Sequence, residues 1–210
     1  MDLTFHPLTP GRWRDLETIF ASRGCSMARA CWCMFYRESG APAVAPGQSL
    51  SAARKQRLQR LAAAPLPPGL LAYRDATPVG WLSLGPREHF RKLVRSPVMR
   101  PVDATPVWSL ICFVVPPAHR HQGVASALLR EGIRFARSHG ATVLEAYPVD
   151  KAIRGKDDWL WFGAKSMYDA AGFVEVARRK PERPVVRLHL DQAEAPVDRA
   201  PVPRDHAGRR

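Results

Sequence analysis

The feature that most constrains this chain is an almost unbroken apolar run, Trp108 to Val115, that stops at Pro116-Pro117 and leads into Arg120-His121-Gln122-Gly123-Val124-Ala125. A run of this length without polar alternation predicts a central strand buried on both faces. After the short link, Ala125, Leu128, Leu129, Gly132 and Ala136 recur on one face of a helix reaching about His139, with Gly140 as its C-terminal signal. Thr142 to Tyr147 predicts the next strand, so this region reads as a β-α-β unit. A strand feeding a helix through a glycine-containing turn leaves main-chain N–H groups unpaired at the positive end of the helix. Such a turn is an anion site, and Gly123 permits close approach because it lacks a Cβ. The triphosphate loop G-x-x-x-x-G-K-[ST] and the dinucleotide motif G-x-G-x-x-G after a strand are both missing from the sequence.

The flanking sequence supplies further elements. Leu3 to Leu8 predicts an opening strand, with Thr9-Pro10 as cap and first residue of a helix carrying Trp13, Leu16 and Phe20 and ending near Gly24. Gly24 to Gly47 reads as an irregular covering loop with Trp32, Phe35 and Tyr36 at its aromatic centre. Ser49 or Ser51 caps a second helix containing Leu58 and Leu61, and Leu70 to Arg74 with Val79 to Leu84 predict a hairpin. Arg87 to Thr105, with its charges and prolines, reads as a long surface excursion. An aromatic loop (Trp159, Trp161, Phe162), a short helix around Ser166 to Ala171, and strands Phe173 to Ala177 and Val185 to Leu190 complete the pattern. Residues 1–190 are therefore expected to form one domain, and the Pro/Ala-rich stretch 191–210 a disordered tail.

Composition narrows the class. The 210 residues are 46% hydrophobic and 24% charged, an ordinary globular mixture. The sequence contains neither a membrane-length apolar run nor a secretory signal, so a cytoplasmic protein with no membrane partner is expected. The four cysteines are then expected as thiols, and C-x5-C-x-C over Cys25, Cys31 and Cys33 lacks the paired spacing of a zinc site, so no metal is expected. The net charge of +13 invites nucleic acid, but the charge is scattered and no nucleic-acid-binding motif occurs, so nucleic acid is disfavoured as a partner. A polyanionic cofactor explains part of the excess.

Val115-Pro116-Pro117-Ala118-His119-Arg120-His121-Gln122-Gly123-Val124-Ala125 resembles the acetyl-CoA signature of the GNAT superfamily of N-acetyltransferases, V-x-P-x-x-[R/Q]-x-x-G-x-[G/A]. Tyr168-Asp169-Ala170-Ala171-Gly172-Phe173 resembles that family's Y-x-x-x-G-F element. The resemblance covers roughly residues 3–190. It implies an α/β (α+β) fold with a central mixed, mostly antiparallel sheet of six to seven strands flanked by helices on both faces. It further implies acetyl-CoA as co-substrate, held by Arg120, His121, Gln122, Gly123, Val124 and Ala125. The same likeness gives main-chain donors at Phe113, Val114 and Val115, and Tyr168 as the acid that protonates the departing thiolate. An asparagine common before that tyrosine is replaced here by the Trp161 to Lys165 segment.

The implied reaction is direct transfer to an amine. An amine of pKa near 10.4 is neutral in about one molecule in a few thousand at pH 7, so a base or an ordered water must take its proton. Glu145, in the next strand, is the nearest candidate base, with a structural ion pair as the competing role. Trp32, Phe35, Tyr36 and Trp81 are candidate acceptor-binding aromatics, with core packing as the alternative. The expected acceptor is a small-molecule amine, with a protein or peptide amine and a non-catalytic CoA- or nucleic-acid-binding role as alternatives. Monomer and homodimer both stay open.

Overall fold

The computed structural model describes residues 2–40, 42–150 and 160–190. Seven strands form one sheet in the order β1-β2-β3-β4-β5-β7-β6. They are β1 (Leu3–Pro7), β2 (Gly69–Arg74), β3 (Thr77–Pro86), β4 (Trp108–Val114), β5 (Val143–Ala146), β6 (Val174–Arg178) and β7 (Pro184–His189). Every neighbouring pair is antiparallel except β4 and β5. The helices are α1 (Trp13–Ala21), α2 (Ser26–Cys31), α3 (Leu50–Ala62), α4 (Val124–Ser138) and α5 (Lys165–Asp169).

Both faces of the sheet are covered. Leu128, Leu129 and Ala136 of α4 pack against Leu82, Leu110 and Leu144 on one side, joined there by Tyr168 and Phe173. Trp13, Leu16 and Phe20 of α1 pack with Trp32, Leu58, Leu71 and Trp81 on the other. A central strand between two apolar layers needs apolar residues at every position, which is why β4 reads as a continuous run. Gly132 makes the α4 contact possible, because a Cβ there would sit 2.7 Å from Leu82 Cδ2.

Two features of β4 shape the site. The β3–β4 register shifts between Ser83 and Leu84, leaving Ile111 as a bulge, so Leu110 and Phe113 both face α4. Its parallel pairing with β5 extends only from Trp108↔Leu144 to Leu110↔Ala146. Beyond Leu110 the two strands part, and the N–H of Phe113 donates instead to the Trp161 carbonyl at 2.7 Å.

Several expectations need correction. The α1 cap is not made by a side chain: Thr9 is extended and makes no capping bond, and Pro10–Arg12 forms a 3-10 turn ahead of the helix. The supposed covering loop contains α2, a six-residue helix closed by Trp32 and Cys33 in the left-handed region. Ser49, not Ser51, caps α3 by accepting from the Ala52 N–H at 3.1 Å. The Arg87 to Thr105 excursion is anchored, not free: Phe90 and Leu93 are fully buried, and Arg179 donates to the carbonyls of Val98, Arg100 and Pro101. Trp159 and the 191–210 stretch lie outside the described residues.

Candidate active site

The turn between β4 and α4 opens onto a cleft of about 580 Å³. Its walls come from the end of β4 (Phe113 to Val115), the turn itself (His119 to His121 and Gly123), the first residues of α4 (Val124 to Ser126), the corner leading into α2 and its first residues (Gly24 to Ala28), and residues 160–167 on the far side. Gly123 is left-handed at φ 76° and His121 at φ 58°, so the chain doubles back just before the helix. The first bond inside α4 runs from the Ala127 N–H to the Gly123 carbonyl. The N–H groups of Val124, Ala125 and Ser126 therefore have no acceptor within the helix, and they stand at its positive end. A Cβ on Gly123 would meet nothing within 4 Å, so the space in front of the turn is open.

The electrostatics match an anion. Arg120, His119 and His121 line the cleft, and no Asp or Glu lines it among the described residues. Arg120 is oriented by the residue that follows β4, since its Nε donates to the Val115 carbonyl at 3.0 Å. Gln122 faces elsewhere: its Oε1 accepts from Arg74 at 2.6 Å and its amide donates to the Ala118 carbonyl, tying the turn to the end of β2. Of the residues expected around the cofactor, Phe113, Val114, Val115, Arg120, His121, Gly123, Val124 and Ala125 are brought together, and Gln122 is the exception.

Tyr168 is fully buried and does not itself line the cleft, although its neighbours Met167 and Gly163 do. Its ring meets Phe113 edge-on and lies under Gly163, where a Cβ would come within 3.2 Å of it. Its hydroxyl donates to the Phe162 carbonyl at 2.8 Å. Burial, with the nearby Cys112 adding to it, pushes the phenol well above its ordinary value and keeps it protonated.

Glu145 is placed for structure. It is fully buried and does not line the cleft. One carboxylate oxygen accepts from Arg187 Nε at 2.8 Å, and the other accepts from the Tyr147 hydroxyl at 2.7 Å and Arg87 at 3.4 Å. Arg187 in turn forks onto Asp103, which holds that exposed carboxyl well below the usual range. The network joins β5, β7 and the anchored excursion. The expected aromatics do not line the cleft either. Trp32 stacks on Trp13 and Phe20 in the core, and Trp81 is fully buried with its N–H on Cys33 Sγ at 3.3 Å. Phe35 lies on the surface under Lys92, and Tyr36 packs edge-on against Phe162.

Sequence reasoning missed Ser126, Gly163, Met167 and the Gly24 to Ala28 corner. A signal existed only for Gly24, which is left-handed and sits so close to Pro117 that a Cβ would lie 2.7 Å from its ring. That glycine reads in sequence as a helix end, and its second contact is visible only in three dimensions.

The profile of the acetyltransferase (GNAT) family matches residues 32–154, more than half of the chain. The chain belongs to this family. No protein of curated function matches the sequence. Among solved structures, this GNAT chain is similar to polyamine N-acetyltransferase of Drosophila melanogaster, at 13% identity and TM-score 0.52, covering 90% of this chain and 100% of that one. It is similar to arylalkylamine N-acetyltransferase 2 of Aedes aegypti, at 11% identity and TM-score 0.53, again over 90% and 100%. A GCN5-related N-acetyltransferase from Kribbella flavida aligns at 15% identity and TM-score 0.50 over 89% and 97%. At these identities the likeness establishes the shared fold. No helix among the described residues is long and apolar enough to cross a membrane.

Proposed function

We propose that this chain is an acetyl-CoA-dependent N-acetyltransferase that passes an acetyl group directly to the primary amine of a small molecule. The observation that carries the reading is the turn at the start of α4: left-handed His121 and Gly123 set the helix's first N–H groups at an open cleft lined by Arg120. Family membership supports the reaction class. When bound, acetyl-CoA supplies an activated acyl group as a thioester.

The chain's own residues then divide the work. The N–H groups of Val124, Ala125 and Ser126, with Arg120 alongside, hold the diphosphate. Val114 and Val115 flank the acyl arm where β4 and β5 part, with the Phe113 N–H already committed to Trp161. Tyr168 would give its hydroxyl proton to the leaving sulfur, exchanging the Phe162 carbonyl for it, and would regain a proton from the water that takes the amine's. The proposal assigns the amine's proton to water, because Glu145 is absent from the cleft lining and committed to Arg187, where it holds the strands in place.

The test has two arms. Acetyl-CoA raises the melting temperature, and thiol release with acetyl-CoA depends on an added amine from a panel that also contains peptide N-termini and lysine peptides. No shift and no amine-dependent release refute the proposal. A salt-dependent shift of DNA without acyl transfer favours the non-catalytic alternative.

A further inference from the structure

The face of β4 turned away from α4 carries a cluster of thiols that the acyl transfer leaves unused. Cys31 ends α2, Cys33 follows two residues later, and Cys112 lies on β4 just before Phe113. All three are free; Cys33 is buried, while Cys31 and Cys112 are half-buried. Cys33 packs in one apolar layer with Trp81, and Cys112 lies against that layer. Cys33 Sγ accepts from the Trp81 Nε1–H at 3.3 Å, and the Cys112 thiol donates to the same sulfur. A buried cation stands nearby. Arg37 lies 4.3 Å over Phe90 and donates to the carbonyls of Pro68 and Leu84. Leu84 directly follows Ser83, the β3 partner of Cys112, so these bonds set the guanidinium beside the thiols. Among the described residues no carboxylate pairs with Arg37, and its Nε is buried without a partner. Cations withdrawn from water are ordinarily paired with an anion, and a Cys33 thiolate is the anion at hand. The titration agrees: Cys112, then Trp81 and Arg37, lower the Cys33 thiol against its own burial, and the bond to Cys33 raises Cys112.

We propose that Cys33 and Cys112 are a redox-active dithiol, oxidised by hydrogen peroxide to a disulfide that ties the end of α2 to β4 and alters the cleft. Such chemistry needs a thiolate beside a thiol, with one sulfur within reach of the oxidant. Cys112, the half-buried member, meets the peroxide. As its proton passes to Cys33, its sulfur attacks one peroxide oxygen, the O–O bond breaks, and the departing hydroxide takes that proton and leaves as water. Cys33, a thiolate again, attacks the sulfenic acid at sulfur, forming the S–S bond and expelling hydroxide. The peroxide gains two electrons and the sulfurs lose two. Sulfurs already in hydrogen-bond contact have only to close to about 2.05 Å. The start of α2 (Ser26 to Ala28) and Phe113, the neighbour of Cys112, are both walls of the cleft, so the new bond joins two of its sides. Oxidation also removes the negative charge beside Arg37. The effect on the cleft rests on the acetyl-CoA reading above; the disulfide does not.

Peptide mapping by mass spectrometry, after a pulse of hydrogen peroxide on the native protein and blocking of the remaining thiols, tests the bond. A Cys33–Cys112 cross-link is expected, formed at least about 10-fold faster than peroxide oxidises free cysteine at the same pH and reversed by dithiothreitol. Cys31 and Cys33 share one tryptic peptide, Ala30 to Arg37, so Cys31→Ala, which keeps the cross-link, tells them apart. Cys33→Ala and Cys112→Ala each lose it. Wild-type protein that forms no disulfide, forms one between Cys31 and Cys33, or forms the cross-link only in denaturant overturns the proposal, and none of these outcomes depends on a variant folding. The cleft is read by the rise in melting temperature with acetyl-CoA, which falls by at least half on oxidation and returns on reduction. An unchanged rise in the cross-linked protein overturns the coupling between the pair and the cleft. If the reduced protein shows no rise at all, the cofactor reading fails while the cross-link still supports the dithiol.

Discussion

The proposed mechanism gives Tyr168 two roles at a single hydroxyl. Its bond to the Phe162 carbonyl braces the segment beside the cleft, and its protonated phenol is the group that the proposal turns toward the leaving sulfur. Tyr168→Phe should lower kcat by about 10- to 1000-fold with little change in acetyl-CoA affinity, since only the proton donor is removed. The lost hydrogen bond should cost about 1 kcal/mol of stability. Steady-state kinetics beside calorimetric titration check this; a wild-type kcat with a lowered melting temperature would leave Tyr168 a brace only. Glu145 behaves differently. Glu145→Gln leaves Arg187 with Asp103 alone in a buried network, and it should destabilise by about 3 kcal/mol in denaturant unfolding. A catalytic base would instead show a fall in kcat at unchanged stability. Asp103 also sets a sign for pH: its carboxyl is depressed by Arg187, so its contribution is present above about pH 4 and is lost as pH falls further.

At the scale of elements, α4 positions the site because a strand beneath it has no side chain in the way. Gly80 of β3 faces the first turns of α4, where a Cβ would lie 2.8 Å from Val124 Cγ1 and 3.0 Å from Leu128 Cδ1. Gly80→Val should cost about 1–3 kcal/mol and displace the start of α4, weakening acetyl-CoA binding together with stability. Titration calorimetry that finds unchanged affinity would show the turn to be independent of this packing. The β4-turn-α4 unit was legible in the sequence because its signals are local: an apolar run, prolines that end it, a glycine in the turn and a helical period after it. Gln122 was misplaced because its side chain answers to Arg74 on β2, a contact distant in sequence. Trp32 and Trp81 were misplaced for a related reason, since an aromatic in a core and one in a binding site have the same identity and only the packing of α1 and α3 distinguishes them. The short α2 escaped because six residues carry too few turns to show a period.

For the whole molecule, one sheet with helices on both faces fixes where a cleft can form. β4 and β5 pair in parallel and separate after three residues, and the space they leave is bounded by α4, the start of α2 and residues 160–167. The net positive charge acts on this opening from a distance, so acetyl-CoA association should slow several-fold between about 50 and 500 mM salt, while the melting temperature without ligand changes little. Stopped-flow binding across that range checks it, and a salt-independent rate would remove electrostatic steering. The central claim is that the start of α4 grips a diphosphate with main-chain N–H groups. The most direct measurement is calorimetric titration with acetyl-CoA and, separately, with acetyl-pantetheine, which lacks the diphosphate. The account predicts that acetyl-CoA binds at least about 100-fold more tightly, as several charge-assisted hydrogen bonds require; equal affinity for the two would contradict it.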